Sequence, residues 1–220
     1  MLILFYIVLN TILYDWTGSL YPEGTGFRLD PIFFGLDDLI PFVPEMAIFY
    51  VYLFYSMVIL SMLYFAFIKY KEGIALGWSL VLINAISIII YIIFPVSTYW
   101  YRQELLAHPI TGNFWATTIY GVYSSDTSFN CFPSLHASVS VIIFYTWYRF
   151  YKLKPNIIRK IIAIITFIIA GGVILATLFV KQHYIADEIA GIVLAYVVGR
   201  YMFRYFWAKL RDNSTKIENV

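Results

Sequence analysis

The chain has 220 residues, of which 61% are hydrophobic and only 13% are charged. Together with a mean hydropathy of +0.77, this composition excludes a soluble globular fold and predicts an all-α polytopic membrane protein. The formal net charge of +2 indicates no particular partner, and the single cysteine excludes an intramolecular disulfide.

Apolar runs in the sequence predict six transmembrane helices that form one bundle. Four runs have the roughly 17 to 25 residues that cross a bilayer, and two shorter runs reach that length with their flanking residues. In chain order the six runs are Leu2 to Tyr14, Met46 to Ile68, Ile74 to Phe94, Ala137 to Tyr151, Ile157 to Val180 and Ile185 to Trp207. Because no Lys or Arg precedes the first run, we expect a retained helix there rather than a removed signal peptide. The sequence thus predicts one membrane-embedded domain over residues 1–220, with a short cytoplasmic tail over residues 211–220.

The Lys and Arg residues are divided unevenly between the two sides of this predicted bundle. Three of them, Arg28, Arg102 and Lys181, fall on one side. The remaining twelve fall on the other side: Lys69, Lys71, Arg149, Lys152, Lys154, Arg159, Lys160, Arg200, Arg204, Lys209, Arg211 and Lys216. Because basic residues accumulate in cytoplasmic loops, we expect a multi-pass protein of the cell membrane with both termini in the cytoplasm. Membrane topology also accounts for these charges better than nucleic-acid binding, for which the sequence has no motif.

Two long segments lie on the outer side of the predicted bundle. Residues 15–44 contain glycine and proline breakers, and the apolar stretches Ile32 to Phe34 and Leu39 to Val43 predict partial burial in the membrane interface. Pro44 is expected in the first turn of the second helix, where the missing N–H of proline costs nothing. Residues 96–132 form the longest segment between predicted helices, and long segments of this kind are functional or disordered.

A polar island, Lys181 to Asp187, separates the last two apolar runs. On a helix, His183 and Asp187 are four residues apart and share a face, so the carboxylate can hold one imidazole nitrogen and leave the other free. The same face continues with small residues of the kind that let transmembrane helices pack closely, namely Gly191, Ala195 and Gly199. The polar pair is therefore expected to face the protein interior at a helix end on the outer side.

A second polar island opens the fourth apolar run. Pro133 suits the first position of a helix, Ser134 can serve as a helix cap, and His136 follows within the same turn. Two histidines on two helix ends at one membrane face predict a single site. The alternative is a structural polar pair that ties helices together, but ionisable residues within spanning segments are costly and usually functional.

The two islands resemble motifs of one known family. Cys131-Phe132-Pro133-Ser134-Leu135-His136 resembles the second motif, P-S-x-H, of the type 2 phosphatidic acid phosphatase family. His183-Tyr184-Ile185-Ala186-Asp187, followed by Gly191, resembles the third motif, H-x-x-x-D. The forms Gln-His-Tyr and P-S-L-H are most similar to the branch that includes inositol phosphorylceramide synthases. The similarity covers the predicted third to sixth helices.

The resemblance implies a metal-independent lipid phosphatase or phosphotransferase that uses no cofactor. His183, oriented by Asp187, is expected to attack phosphorus and form a phosphohistidine. His136 is expected to protonate the leaving alkoxide and then help to activate the acceptor. Phosphate oxygens are expected to be held at the start of the fourth helix and by nearby cations, that is by Ser134, Leu135, Arg102 and Lys181.

The sequence departs from the family pattern at two cationic positions. In the first motif a Lys precedes an Arg-Pro, but here Arg102 is followed by Gln103, and Pro95 stands seven residues before it. In the third motif an Arg lies six residues before the histidine, where this chain has Thr177. We expect Lys181 to supply the missing charge.

Other residues of reactive types receive ordinary interpretations. Glu188 and Asp126 are expected to be solvated or capping residues, His108 a surface residue and Cys131 a packing residue. The histidines do not have the spacing of a zinc site such as H-E-x-x-H, so no metal is predicted.

Three functions remain open on sequence alone. Water as the acceptor gives a lipid phosphatase, which the small size of the chain favours, whereas an alcohol gives a head-group phosphotransferase like an inositol phosphorylceramide synthase. A non-enzymatic transporter or scaffold is the third, although a transporter should place its ionisable residues near the bilayer midplane. The expected partners are a lipid with a phosphate head group and the bilayer itself. The sequence does not predict an oligomeric state.

Overall fold

The computed structural model describes Tyr6 and residues 9–217, without the side chains of residues 9, 70–72 and 207–217. The predicted first span, Leu2 to Tyr14, therefore lies largely outside the described residues. Its last part forms a π-helical turn, Leu9–Leu13, which leads into a short helix. No β-strand occurs among the described residues, where an isolated bridge pairs Phe27 with Val96.

The described part of the chain is organised by helices, which we label in chain order. They are α1 (Tyr14–Gly18), α2 (Leu36–Leu39), α3 (Pro44–Ile68), α4 (Tyr70–Ile93), α5 (Tyr99–Ala107), α6 (Phe114–Ser125), α7 (Leu135–Leu153), α8 (Ile157–Phe179) and α9 (Ile185–Ile217). A 3₁₀ turn, Asp30–Phe33, precedes α2. Helix α3 begins with a 3₁₀ turn whose first residue is Pro44, as predicted, and it contains π-helical turns at Ile48–Leu53 and Tyr64–Ile68.

Four of the described helices are long and apolar enough to cross a membrane. Their spans are Pro44–Ile68, Gly73–Ile93, Ile157–Phe179 and Ile185–Phe206. These spans confirm the predicted all-α membrane class and correspond to four of the six predicted runs. By length and composition α7 is not among them, but its 19 residues extend about 28 Å at 1.5 Å per residue, close to the thickness of a bilayer core.

Helix α7 is the central helix of the bundle. It packs against all four spanning helices, α3, α4, α8 and α9. Because its neighbours cover it, α7 can carry polar side chains without exposing them to lipid, and Ser138, Ser140 and Thr146 are all buried. These polar residues make α7 less hydrophobic than the four spans, which explains why its composition does not identify it as a fifth.

The predicted stripe of small residues on α9 faces α7. A Cβ atom added to Gly191 would lie 2.5 Å from the Ser134 carbonyl oxygen, and one added to Gly199 would lie 2.6 Å from Ile142. Ala195, between them, is fully buried. The close approach of α9 to α7 therefore requires these small residues, which confirms the packing prediction.

One end of the bundle collects the starts of α7 and α9 together with the ends of α4 and α8. The Ser134 N–H donates to the carbonyl of Asp187, and the Tyr91 hydroxyl donates to the carbonyl of Pro133. The described Lys and Arg residues of the α7–α8 connection and of the later turns of α9 lie at the other end. The two polar islands and these basic residues thus lie at opposite ends of the bundle, which agrees with the charge separation predicted from the sequence.

Two expectations about the connecting segments need correction. Residues 96–132 are not an unstructured loop, because they contain α5 and α6. Apolar runs did not indicate these helices because both are short and because α5 contains the polar residues Arg102, Gln103 and Glu104. The expected frayed tail is helical as far as Ile217, so only residues 218–220 lie outside the description. In residues 15–44, apolar side chains of both stretches expected at the membrane interface are exposed on the protein surface, with Phe34 97% exposed. Their exposure is compatible with that expectation.

Candidate active site

The second island opens α7, and its serine caps that helix. Ser134 has extended backbone angles, and its Oγ accepts a hydrogen bond from the Ala137 N–H at 3.2 Å, which confirms the predicted cap. Pro133 was expected as the first helical residue but precedes the cap, because Ser134 supplies the oxygen that the capping position requires. This arrangement puts His136 in the first turn of α7.

Two aromatic rings of α3 hold His136. The centroid of its imidazole lies 4.6 Å from that of Tyr50 and 4.8 Å from that of Phe54. Tyr50 is buried, whereas His136 stays partly exposed. Packing against two rings restricts the imidazole without using its nitrogens. Sequence reasoning missed both rings, because they cannot be distinguished from the ordinary packing aromatics of a spanning helix.

The first island lies in the turn between α8 and α9. His183 precedes α9 and is not helical, although the four-residue spacing predicts a shared helix face with Asp187. The His183 Nδ1 lies 3.3 Å from Asp187 Oδ2, and the same oxygen accepts the Tyr184 N–H at 2.8 Å. Asp187 therefore caps the start of its own helix and holds the imidazole at the same time. The predicted pair is present, but a helix N-terminus rather than a helix face brings its members together.

The pairing with Asp187 favours one tautomer of His183. A carboxylate accepts hydrogen bonds, so it favours the tautomer with the proton on Nδ1 and the lone pair on Nε2. Burial lowers the pKa of His183 well below its ordinary value; a hydrogen bond with the backbone of Cys131 opposes this effect, and the charge of Arg102 adds to it. The imidazole is therefore neutral near pH 7, which is the form that can act as a nucleophile.

The structure brings the three predicted catalytic residues together. The ring centroids of His136 and His183 lie 5.6 Å apart. At that separation one phosphoryl group can contact both rings, since reacting atoms meet at about 3–3.5 Å. The hydrogen bond from the Ser134 N–H to the Asp187 carbonyl, at 3.1 Å, links the two helix starts that carry these residues.

The start of α7 offers backbone donors to an anion. The first N–H groups of a helix have no partner within the helix, and helix N-termini attract phosphate for that reason. Here Ser134 already takes two of them, since its Oγ accepts from Ala137 and its carbonyl accepts from Ser138. The amides of Leu135 and His136 remain as the donors of this turn. Among the predicted phosphate contacts, the Leu135 amide is thus well placed.

Arg102 is buried near His183 and joins three segments. Its Nη1 donates to the Asp126 carbonyl at 2.8 Å, and its Nη2 donates to the Thr127 carbonyl at 2.6 Å and to Gln182 Oε1 at 2.5 Å. The guanidinium also stacks over Tyr123, 5.2 Å from the ring centroid. Its charge therefore acts on His183, while both terminal nitrogens are already engaged by the protein. The Nε has no hydrogen-bond partner among the described residues.

Lys181 is directed towards the segment before α3. Its Nζ donates to the Asp37 carbonyl at 2.7 Å and lies 4.7 Å from the centroid of the Tyr101 ring. Burial lowers the pKa of this amine, while the neighbouring carboxylates of Asp38 and Asp37 raise it. The backbone of Lys181 is left-handed, with φ of +53°, where the chain reverses after α8. The structure thus gives this predicted phosphate ligand a protein partner.

A buried carboxylate stands beside the position where the third motif carries an arginine. The Thr177 hydroxyl donates to Glu188 Oε1 at 2.9 Å, and the Glu188 carboxylate also bonds to the Ser134 side chain. Glu188 is only 2% exposed, so the expectation of a solvated residue is wrong. Its place on the inner face of α9, against α8, removes it from water. Asp126, by contrast, is partly exposed and ends α6, as expected of a capping residue.

Cys131 lies close to His183 and Asp187. Its Sγ, a His183 nitrogen and an Asp187 oxygen are within 4.8 Å of one another, a group of ligand types that a metal ion could share. The thiol is buried, as predicted for a packing residue, and burial raises its pKa and so disfavours the thiolate that zinc binds. A metal ion here would occupy the imidazole and carboxylate that the predicted chemistry requires.

Comparison with known proteins identifies the family. The family model described as PAP2 superfamily matches residues 23–200, most of the chain, including both histidine islands and residue Arg102. No curated protein and no solved structure matches the chain. The match is to the superfamily as a whole and does not single out the branch of inositol phosphorylceramide synthases. The chain therefore belongs to the PAP2 superfamily of phosphatase- and phosphotransferase-type membrane proteins.

Proposed function

We propose that this protein is a metal-independent lipid phosphatase that removes phosphate from a lipid phosphate or diphosphate through a phosphohistidine. One observation carries the proposal: two histidines lie 5.6 Å apart, and only one of them has its Nδ1 on a buried carboxylate. This asymmetry supports different roles for the two rings. The oriented His183 is the nucleophile, and His136 is the general acid and base.

In the first step, Nε2 of His183 attacks phosphorus and the bond from phosphorus to the lipid oxygen breaks. The protonated form of His136 gives a proton to the leaving alkoxide and becomes neutral, and the positive charge that develops on the His183 ring is stabilised by Asp187. In the second step, His136 takes a proton from water, the resulting hydroxide attacks phosphorus, and the N–P bond breaks. Inorganic phosphate leaves, and both imidazoles return to their starting states.

The expected phosphate contacts differ in how much they must rearrange. The Leu135 amide can bind an oxygen without moving, and Arg102 contributes its charge from where it lies. Ser134 must share a hydroxyl that already contacts Ala137 and Glu188. Lys181 must exchange the Asp37 carbonyl for phosphate. We therefore expect Leu135 and Arg102 to matter more for phosphate binding than Ser134 and Lys181.

The position of the site supports a lipid as the substrate. His183 lies just before the spanning helix α9, and His136 is flanked by rings of the spanning helix α3. We therefore expect the site at the level where head groups meet the bilayer. The basic residues at the opposite end support a cytoplasmic location for that end by the positive-inside rule. We therefore place the site on the extracytoplasmic side of the cell membrane.

The proposal is tested by supplying three substrate classes to the purified protein in liposomes. Phosphatidate, a polyprenyl diphosphate, and a phospholipid together with inositol are incubated separately, and free phosphate and new lipids are measured. Release of free phosphate supports the phosphatase, whereas transfer of the head group to inositol identifies a phosphotransferase. No turnover of any of the three would contradict the proposal. Chelators are expected to leave the rate unchanged, and activity lost with a chelator and restored by a divalent ion would contradict metal independence.

A further inference from the structure

The segment before α3 is bonded to both sides of the nucleophile's turn. Asp37 in α2 is only 2% exposed, and its Oδ1 accepts the Ile185 N–H at 2.8 Å. Its carbonyl oxygen accepts the Lys181 ammonium at 2.7 Å. Lys181 and Ile185 stand two residues before and two residues after His183. A single residue that is distant in sequence therefore bonds to the chain on each side of the proposed nucleophile.

Neighbouring contacts fix the same turn from the same direction. The Tyr101 hydroxyl donates to Asp38 Oδ1 at 2.7 Å, and the Tyr101 ring packs on that of Tyr184, with centroids 5.6 Å apart. The Tyr184 hydroxyl donates to the Ser97 carbonyl at 2.8 Å. The residue that follows His183 is thus enclosed by side chains that α2 and α5 hold in place.

These contacts matter because His183 is not part of a helix. A catalytic group must be held within about 0.5 Å of its productive position, and a displacement of about 1 Å can cost a factor of about 10² in rate. Asp187 fixes the ring of His183, and the Thr177 carbonyl accepts the N–H groups of Gln182 and His183 at 2.9 and 3.3 Å. Neither of them holds the Lys181 side chain or the Ile185 N–H, which Asp37 binds. Asp37 supplies an acceptor to the first N–H of α9, where a carboxylate is also favoured by the helix dipole.

We propose that Asp37 is a positioning residue, which holds the turn between Lys181 and Ile185 so that His183 points at the phosphoryl group. This inference rests on the proposed function, since it concerns the same nucleophile. It also assigns a role to the segment before α3, whose inner side holds the site while its exposed apolar side chains, Ile32, Phe34, Leu36 and Leu39, face outwards.

The test compares variants of Asp37 with a control variant of a residue in the same helix. Asp37→Ala removes the acceptor, Asp37→Glu keeps the charge but displaces the oxygen by a methylene group, and Asp37→Asn keeps an oxygen at the same place. Leu39→Ala is the control, because Leu39 is a 78% exposed residue of the same helix that makes no hydrogen bond to the turn. Lipid phosphate hydrolysis in liposomes gives kcat and KM, and size-exclusion chromatography and thermal unfolding report folding.

We expect Asp37→Ala to lower kcat by about 10²-fold and Asp37→Glu by about 10-fold, with KM changed less than about threefold, because the amides at the start of α7 are untouched. Asp37→Asn should stay within about fivefold of the original kcat, and Leu39→Ala within about twofold. A merely structural role would not give this kcat-selective loss with rescue by asparagine.

A kcat within twofold of the original in folded Asp37→Ala or Asp37→Glu would overturn the inference, and so would a loss in Asp37→Asn as large as that in Asp37→Ala. If Asp37→Ala does not fold, the comparison of Asp37→Glu with Asp37→Asn decides. Failure of the proposed function is recognised separately, because the original protein would then release no phosphate, or His183→Ala would retain activity, whatever the Asp37 variants do.

Discussion

The two histidines of the site are held in different ways. His136 belongs to the first turn of a central helix and lies between the rings of Tyr50 and Phe54, so apolar packing determines its position. His183 lies in a turn, where polar contacts from separate parts of the chain hold it. Those contacts come from Asp187 directly, from Asp37 through the neighbouring backbone, and from Arg102 through Gln182.

This difference separates the tasks of the two rings. A proton donor has to serve first a leaving oxygen and then water, so a ring held by packing with free nitrogens suits it. A nucleophile must present one nitrogen in one direction, so a ring fixed by a carboxylate suits it. The comparison also predicts which substitutions affect the site. Removal of a hydrogen-bonding side chain around the turn should displace His183, whereas a change in helix packing should alter the distance between the two histidines.

The largest effects are expected from removing either ring. His183→Ala should reduce turnover by more than about 10⁴-fold because no nucleophile remains, and His136→Ala should reduce it by about 10²–10⁴-fold because the proton transfers are lost. Phosphate release from liposomes measures both rates. His108→Ala is the matched control, since that histidine is exposed outside the site and its removal should change nothing. Full activity in either site variant, with the protein folded, would exclude the mechanism.

Asp187→Asn separates the two roles of Asp187, which caps α9 and pairs with the His183 imidazole. The asparagine oxygen can still accept the Tyr184 N–H, so α9 should remain capped and the thermal unfolding temperature should change little. The negative charge that stabilises the His183 imidazolium is lost, and we expect kcat to fall by about 10²–10³-fold. Measured rates that equal those of the original protein would show that His183 needs no charged partner.

Helix packing is tested with two glycines. In Gly191→Ala the new Cβ would meet the Ser134 carbonyl at 2.5 Å and push α9 away from α7, whereas Gly171 has open space around its Cβ position. We expect Gly191→Ala to cost about 1–3 kcal/mol of stability and at least tenfold in kcat, because the two histidines separate. Gly171→Ala should be neutral or slightly stabilising. Equal behaviour of the two variants in unfolding and activity assays would refute the role of the α7–α9 contact.

The smallest effect concerns pH. An ordinary imidazole with a pKa of about 6.5 loses about three-quarters of its neutral form by pH 6. Because burial lowers the pKa of His183 below that value, its neutral form should persist as the pH falls through 6.5. The acid limb of kcat/KM, which reports groups of the free enzyme, should therefore lie well below pH 6.5. The prediction of a neutral, buried nucleophile would be contradicted by an acid limb with an apparent pKa of 6.5 or higher, if that pKa shifts when residues of the turn around His183 are substituted.

Much of the membrane architecture could be predicted from local patterns. Apolar runs and the distribution of Lys and Arg depend on neighbouring residues only, and they indicated four spans that the structure contains. The stripe of Gly191, Ala195 and Gly199 likewise follows from helical spacing. Helices α5 and α6 were missed because, at 9 and 12 residues, they are too short to be recognised as spans.

The site was predictable where a motif is contiguous and not where it depends on distant segments. His136, His183 and Asp187 were found because each island is short and polar. Asp37 was not found, since it lies 148 residues from the Ile185 N–H that it accepts, and nothing in the local sequence reports that contact. The burial of Glu188 was missed for the same reason, because it depends on Thr177 of another helix.

The measurement that tests the central claim most directly is capture of the covalent intermediate. The protein is mixed with a lipid phosphate that carries radioactive phosphorus, quenched in alkali within the first turnover, digested and mapped. We predict an alkali-stable, acid-labile phosphoryl group on the peptide that contains His183, absent in His183→Ala and longer-lived in His136→Ala. Label on any other residue, or hydrolysis at full rate without a phosphorylated protein, would contradict the account.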